Sequence, residues 1–483
     1  MPKPSLTEFL DLATRHSVVP VFETVLADRD TAVSAFEKLV GGEPGFLLES
    51  VEGGERWAQW SFLGWEPLFT LVGRGGRVVS EVALPGEDPL SILENVISAH
   101  STPDLPGLPP LHSGLVGYLG YDCVRYIEGL DQKPVDDLHL PEMLWQAVGA
   151  LAAFDRFAQT VTLVRNVLIG ADPAGQYEEA VAKLARDAVK LGQAHPYRVT
   201  SIERPGLPEV VSTMSQSEFE AAVREAKERI LYGDAFQVVL SQRLAARTEV
   251  DPFAVYRALR VVNPSPYLFF LRHPEVAVVG SSPELMTRVR DGMAYSRPIA
   301  GTRPRGVSEE ADRQLEDELL ADPKERAEHV MLIDLARNDL GRVCEFGTVH
   351  VDDLMVIERY SHVMHIVSGI SGKLRPGIGP VEVLRATFPH GTVSGAPKVA
   401  AMKIIDQLEP VARGPYAGAV GYIDFSGNVD TAICLRTVVM ADGQAWVQAG
   451  AGIVADSEPA IEYQETMNKA AAALLAVAMA AHV

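Results

Sequence analysis

Residues 194–212 read AHPYRVTSIERPGLPEVVS, a polar, proline-bearing stretch with neither helical nor strand periodicity. Such a stretch behaves as a linker, and it splits the chain into 1–193 and 213–483. The whole length of 483 residues accommodates two to four domains, or one large body with elaborations. Upstream lie strand-like pieces: GFLLES (45–50), SGLVGYLGY (113–121) and TVTLVRNVLI (160–169). Downstream, SEFEAAVREAKERI opens on Ser217-x-x-Glu220, the spacing of a capping box. Phe219, Val223, Ala226 and Ile230 then repeat at helical spacing. Gly233-Asp234 turns the chain into AFQVVLSQRL, which alternates like a strand, and further strands (VAVVGSS, AICLRTVVM) mix with helices up to the C-terminus. There is no internal repeat. The pattern predicts an α+β protein with mostly antiparallel sheets.

Composition narrows the partners. Hydrophobic residues make up 47% of the chain, enough for a large core. Forty-three Lys and Arg against 64 Asp and Glu give a net charge of −21. That surface repels nucleic acid and anionic membrane, so an anionic ligand requires a local cation. Cys123, Cys344 and Cys434 lie far apart, which offers no metal pair and no disulfide framework and suits a reducing cytoplasm. The N-terminus lacks the apolar region of a signal peptide. The longest apolar run, AAAALLAVAMAAHV at 470–483, is shorter than a membrane span and is expected to be a terminal helix packed on the core.

Several stretches could carry chemistry. TFPHGTVSGAPK (387–398) crowds glycine, hydroxyl, histidine and lysine together but lacks P-loop spacing. It is either an anion-binding loop or a turn feeding a helix. Glu325 and Glu328 share one face of a helix over 322–340, and Glu462 and Glu465 share another. Together they could cage a hard cation such as Mg²⁺. Separately, Asp322-Pro323-Lys324-Glu325 also reads as a helix start, and Glu465 as an i,i+4 partner of Lys469. Arg436 stands in the apolar strand TAICLRTVVM and needs a carboxylate from protein or ligand. The glycine-rich QAGAGIVADSEP (448–459) can present N–H groups or simply turn a strand into a helix. Glu284 follows Ser282 and Pro283 as if at a helix start, or serves as a general acid. His365 is a proton shuttle or a core histidine, and His362 three residues away would fall on the opposite strand face.

In their order along residues 297–470, PIAGTRPRG, the ERAEH and DLARNDLGRV segments, SHVMHIVSG, TFPHGTVSGAPK, GPYAGAVGY, DTAICLRT and QAGAGIVADSEP followed by EYQET resemble the chorismate-binding enzymes. The likeness extends upstream through FQVVLSQR and more weakly through LLES and GYLGYD. Within the family the chain is most similar to the branch that makes anthranilate. Members that add water carry a lysine base where this chain has Gln237. Aminodeoxychorismate synthases, the nearest rival, typically read PIKGT where this chain has Ala300, and PGGS or PGGT where it has Pro389-His390-Gly391-Thr392. A non-catalytic regulator that binds aromatic carboxylates is the alternative from another class.

The resemblance implies antiparallel sheets packed together with helices outside, a regulatory N-terminal region (1–193) and a catalytic region (213–483). It implies chorismate and ammonia as substrates, with Gln237 at the nucleophile position and Thr392 near the ring carboxylate. Arg436 and Tyr416 would hold the enolpyruvyl carboxylate, with Gly450, Gly452, Thr302 and Lys469 completing the pocket. Mg²⁺ would sit on Glu325, Glu328, Glu462 and Glu465. Glu284 would protonate the departing hydroxyl and His365 would serve the second stage. No glutaminase cysteine motif is present, so a separate glutamine amidotransferase subunit is implied, as is an oligomer. Glu49 and Ser50 in LLES, with Pro264 and Tyr267 in NPSPYL, would bind tryptophan as a feedback inhibitor. Leu268 stands where the family often has Met.

Overall fold

The computed structural model describes residues 2–50, 59–196, 203–360 and 363–482. His362 and part of the 194–212 stretch therefore lie outside the described residues. Among the described residues two antiparallel sheets dominate, of twelve and eleven strands, each with one strand off its main row: Gly395–Ala396 on Gln237–Arg247 in the first and His350–Arg359 on Val363–Lys373 in the second. The first sheet runs Val18–Leu26, Thr160–Leu168, Ala150–Asp155, Trp60–Trp65, Gly45–Glu49, Tyr267–His273, Val276–Ser282, Thr437–Ala441, Gln444–Ile453, Gln237–Arg247, Val211–Ser212. The second runs Ile299–Pro304, Val363–Lys373, Met293–Ser296, Leu285–Arg290, Val429–Ile433, Ala419–Ile423, Leu115–Leu119, Met143–Ala147, Thr70–Arg74, Arg77–Val79.

Each sheet thus takes strands from both sides of the 194–212 stretch. In the first, Gly45–Glu49 pairs with Tyr267–His273, Leu268 opposite Glu49. In the second, Leu115–Leu119 pairs with Ala419–Ile423. Regions 1–193 and 213–483 are successive in the chain but woven together in space.

Strand periodicity explains the layers. Successive side chains alternate faces, and here both faces are covered. Phe46, Phe269, Leu271 and Val278 of the first sheet meet Val116, Tyr118, Leu144 and Val420 of the second in a central apolar layer. Their neighbours Leu47, Phe270 and Val279 point the other way, into a core closed by the helices Pro252–Val262 and Pro459–Met479. Leu115, Leu119 and Met143 likewise face the helices Pro89–Ala99, Pro323–Gly341 and Pro380–Thr387. The order is helix, sheet, sheet, helix. The C-terminal apolar run is the end of Pro459–Met479, with Ala470, Ala473, Leu474 and Val477 buried. Among the described residues no helix is long and apolar enough to cross a membrane.

One helix start is displaced from its expected position. The helix is Gln216–Tyr232, capped by Ser215 rather than Ser217. Ser215 Oγ accepts the Glu218 N–H at 3.3 Å, and the Glu218 carboxylate accepts the Ser215 N–H at 2.8 Å. The same S-x-x-E spacing occurs twice, offset by two. Met214 is already buried against Phe219 and Val223, and that packing selects the earlier register. Gly233 ends the helix at φ 90°, as its sequence suggests.

Candidate active site

The strand Gln237–Arg247 lies at the centre of the site. It pairs with Gln444–Ile453, Ser241 opposite Gly450 and Val239 opposite Gly452, and its first two residues pair with Gly395–Ala396. TFPHGTVSGAPK is therefore more than a turn. It leaves the helix Pro380–Thr387, makes a 3₁₀ turn at Gly391–Val393, lays a short strand on Gln237 and enters the helix Lys398–Leu408. Gly395, at φ 130°, has no substitute there: a Cβ would sit 2.2 Å from the Gln237 carbonyl oxygen. Lys398 is spent on structure, its Nζ 2.7 Å from the buried Asp339 carboxylate.

The glycines of QAGAGIV make room for side chains. A Cβ on Gly452 would lie 2.7 Å from Gln237 Nε2, and one on Gly450 would lie 2.8 Å from the Tyr416 hydroxyl. Gln237 Nε2 crosses Gly452 and donates to Glu328 Oε1 at 3.1 Å. Lys469 Nζ donates to the Gly450 carbonyl at 3.1 Å and pairs with Glu465 at 2.6 Å, so the expected i,i+4 pair forms. Asp322 caps the helix Pro323–Gly341, with Pro323 at its first position. Glu325 turns instead to Arg303, 3.3 Å away.

Glu284 is 3% exposed. It lies in the turn between the strands Val276–Ser282 and Leu285–Arg290, not at a helix start, because the chain passes there from one sheet to the other. Burial pushes its carboxyl up to about 8, opposed by the Thr392 hydroxyl and by the charges of Lys469 and Arg436. Thr392 Oγ1 donates to Glu284 Oε1 at 2.7 Å. His390, 3.6 Å from the same oxygen, is driven down to about 3 by its burial, so two neutral groups face each other at neutral pH. His365 Nδ1 lies 3.0 Å from the Gly301 carbonyl and 3.0 Å from Thr302 Oγ1. Burial lowers its pKa. The ring is neutral, Nδ1 carries the proton that the carbonyl requires, and Nε2 is left as a base.

Arg436 is not inside a strand. It occupies the crossover between Val429–Ile433 of the second sheet and Thr437–Ala441 of the first, at φ 48°. The apolar run conceals this break because both flanking strands are buried. Among the described residues no carboxylate pairs with Arg436; its guanidinium donates to the neutral Asn263 Oδ1 at 3.4 Å.

The four acids expected to hold a cation stand on two helices, Glu325 and Glu328 on Pro323–Gly341 and Glu462 and Glu465 on Pro459–Met479. Burial raises Glu328 and Glu462, and repulsion from Glu325 and Glu465 adds to it. The charges of Lys324 and Lys469 oppose both rises. No three described acids, histidines or cysteines already enclose one point. Mg²⁺ commonly takes one or two carboxylates, with waters and substrate oxygens completing its shell.

Arg413 and Glu409 escaped the sequence reading. Arg413, 1% exposed at its side chain, pairs with Glu409 and donates to the carbonyls of Val393 and Val239 at 2.7 Å each. Glu409 accepts the N–H and hydroxyl of Ser241. This pair pins the TFPHGTVSGAPK loop to the central strand. Its only signal was an i,i+4 charge pair in LEPVARG, which the intervening proline disguises as a loop.

At the other seam Glu49 is buried and held by Arg156 at 2.9 Å, Arg260 at 3.0 Å and the Tyr256 hydroxyl at 2.6 Å. Ser50 Oγ is buried without a hydrogen-bond partner among the described residues. Pro264 lies in the turn before Tyr267. The Tyr267 hydroxyl donates to Asp430 at 3.2 Å and accepts from Arg288 at 2.9 Å. Glu49 and Tyr267 stand on adjacent paired strands.

The sequence that builds these two sheets matches a known family. The family model described as chorismate binding enzyme covers residues 44–475, and the chain belongs to that family. Its relatives include the protein named anthranilate synthase component 1 of Mycobacterium tuberculosis, 48% identical over 99% of this chain and 96% of the relative. The protein of the same name in Pseudomonas putida is 47% identical over 98% of both. Among solved structures, anthranilate synthase component I from Streptococcus pneumoniae superposes with a TM-score of 0.79 at 34% identity, over 94% of this chain and 99% of that one. The menaquinone-specific isochorismate synthase of Escherichia coli shares the fold, with a TM-score of 0.72 at 20% identity over 98% and 99%.

Proposed function

We propose that this chain is the chorismate-aminating subunit of an anthranilate synthase, converting chorismate and ammonia to anthranilate and pyruvate. One observation carries the reading: a buried Glu284, its carboxyl pushed up by burial, and an Arg436 with no carboxylate partner among the described residues, close enough for each to shift the other's pKa. A dicarboxylate substrate needs such a cation, and a departing hydroxyl needs such an acid.

In the first stage ammonia attacks C2 of the ring and the C4 hydroxyl leaves as water, protonated by Glu284. Gln237 offers a neutral amide at the position of attack, so no side chain there deprotonates water. Arg436 and Tyr416 hold the enolpyruvyl carboxylate, while Thr392 fixes one Glu284 oxygen and leaves the other to donate. In the second stage Nε2 of His365 takes the C2 proton, the enolpyruvyl group departs as pyruvate, and the ring becomes aromatic. Glu325, Glu328, Glu462 and Glu465 would hold Mg²⁺, whose charge would stabilise the ring carboxylate as the transition state forms.

Ammonia would come from a separate glutamine amidotransferase subunit, a reading supported by relatives named component 1. We place tryptophan feedback at Glu49, Ser50, Pro264 and Tyr267, where the Ser50 hydroxyl, buried and without a hydrogen-bond partner among the described residues, adjoins the seam between the two halves. The three cysteines are free and buried, which supports work in the cytoplasm.

The test is direct. Purified chain with chorismate, Mg²⁺ and ammonium at mildly alkaline pH should yield anthranilate and pyruvate in equal amounts, abolished by EDTA and suppressed by tryptophan. An amino product without pyruvate would move the chain to the aminodeoxychorismate branch. Chorismate binding without turnover would leave a regulator.

A further inference from the structure

A guanidinium that receives a ligand carboxylate must be aimed without being neutralised. Arg436 has three fixed points. Its backbone carbonyl accepts the Ser281 N–H at 3.3 Å, its φ of 48° belongs to a left-handed turn, and its Nη1 donates to Asn263 Oδ1 at 3.4 Å. Asn263 is itself held. Its Nδ2 donates to Ser281 Oγ at 3.2 Å and to the Ser281 carbonyl at 3.4 Å. The Ser281 hydroxyl returns a bond to the Asn263 carbonyl, and Ser281 is wholly buried. The amide orientation is thereby forced. A guanidinium has no acceptor, so Oδ1 must face Arg436 while Nδ2 spends its hydrogens on Ser281. Asn263, Ser281 and Arg436 form a closed ring of bonds.

We propose that Asn263 is a positioning residue for the substrate carboxylate: it aims Arg436 and, because it is neutral, leaves the charge of Arg436 for the ligand. This rests on the reading of Arg436 as the carboxylate-binding cation. Aspartate has nearly the same shape, but it would give Arg436 a permanent charge-assisted partner and compete with the substrate. The position therefore calls for an amide on grounds of charge as well as shape.

Four variants separate the possibilities in the ammonium-dependent assay. Arg436→Ala should raise the KM for chorismate a hundredfold or more. Asn263→Ala, which loses the aim, should raise KM about tenfold with kcat within threefold. Asn263→Asp, which keeps the shape, loses the Nδ2 bonds to Ser281 and cancels the charge, should raise KM further than Asn263→Ala. Ser281→Ala, which frees the amide to swing, should raise KM at least threefold and decides the matter if Asn263→Ala does not fold. A high KM in Arg436→Ala with a native KM in Asn263→Asp overturns the inference. A native KM in Arg436→Ala overturns the carboxylate reading of Arg436 instead. A purely structural Asn263 would lower Tm in Asn263→Ala and leave the order of the KM values unrelated to charge.

Discussion

Glu284 is a carboxyl that the fold keeps protonated, and this has consequences for both rate and stability. Its folded pKa of about 8 lies well above the ordinary 4.5, with burial as the chief cause. The acid form is the one that donates, so kcat should fall as pH rises through about 8. Glu284→Gln should lower kcat by about two to four orders of magnitude and erase that limb of the pH–rate profile. Stability follows the same sign. The folded chain keeps a proton that the unfolded chain releases near 4.5, so the contribution is complete below that pH and is lost as pH rises toward 8. Melts of Glu284→Gln beside the native chain should show the variant gaining Tm, relative to native, between pH 5 and 8; a constant difference would mean that the carboxyl is not buried in this way. At this scale the sequence was informative about identity and poor about setting. Gln237, Glu284, His365 and Arg436 could all be singled out as candidates by residue type. That Glu284 sits in a sheet-to-sheet turn and Arg436 in a crossover could not, because Ser282-Pro283 reads equally as a helix start and the break at Arg436 carries no glycine or proline. Asn263 bonds to Arg436, and Arg413 bonds to the carbonyls of Val239 and Val393, contacts remote in sequence that a local pattern does not carry.

Among the elements, the helix Gln216–Tyr232 shows how a correct period can hide a wrong start. Its buried face, Phe219, Val223 and Ala226, is the expected one, whereas two overlapping S-x-x-E spacings left the cap ambiguous. Packing of Met214 resolves it. Ser215→Ala should cost about 1 kcal/mol of stability and Ser217→Ala only a few tenths, as read by urea midpoints; the reverse order would restore the later start. The helix Pro252–Val262 has a less visible role. Tyr256 and Arg260 reach Glu49, and the residue after its last turn, Asn263, holds Arg436. A single helix and the residue after it therefore link Glu49 to Arg436. Its amphipathic pattern was readable, but what its two faces touch was not.

For the whole molecule, the α+β class and antiparallel pairing were legible from local alternation, and the polar stretch at 194–212 suggested two parts. The seams were not legible, since a strand's pattern says which face is buried and not which distant strand lies beside it. Those seams predict that the parts do not stand alone. Fragments 1–193 and 213–483, made separately, should lack a cooperative melt, each exposing a long unpaired edge in both sheets. The intact chain should melt in one transition. A monodisperse, cooperatively melting 213–483 would contradict this. The same seams set a problem of timing during synthesis. Gly45–Glu49 waits for a neighbour, Tyr267–His273, that is encoded more than two hundred residues later. At ribosomal rates that delay is roughly ten to forty seconds. Throughout it an apolar strand edge stands open on the growing chain, and the cell must shelter it.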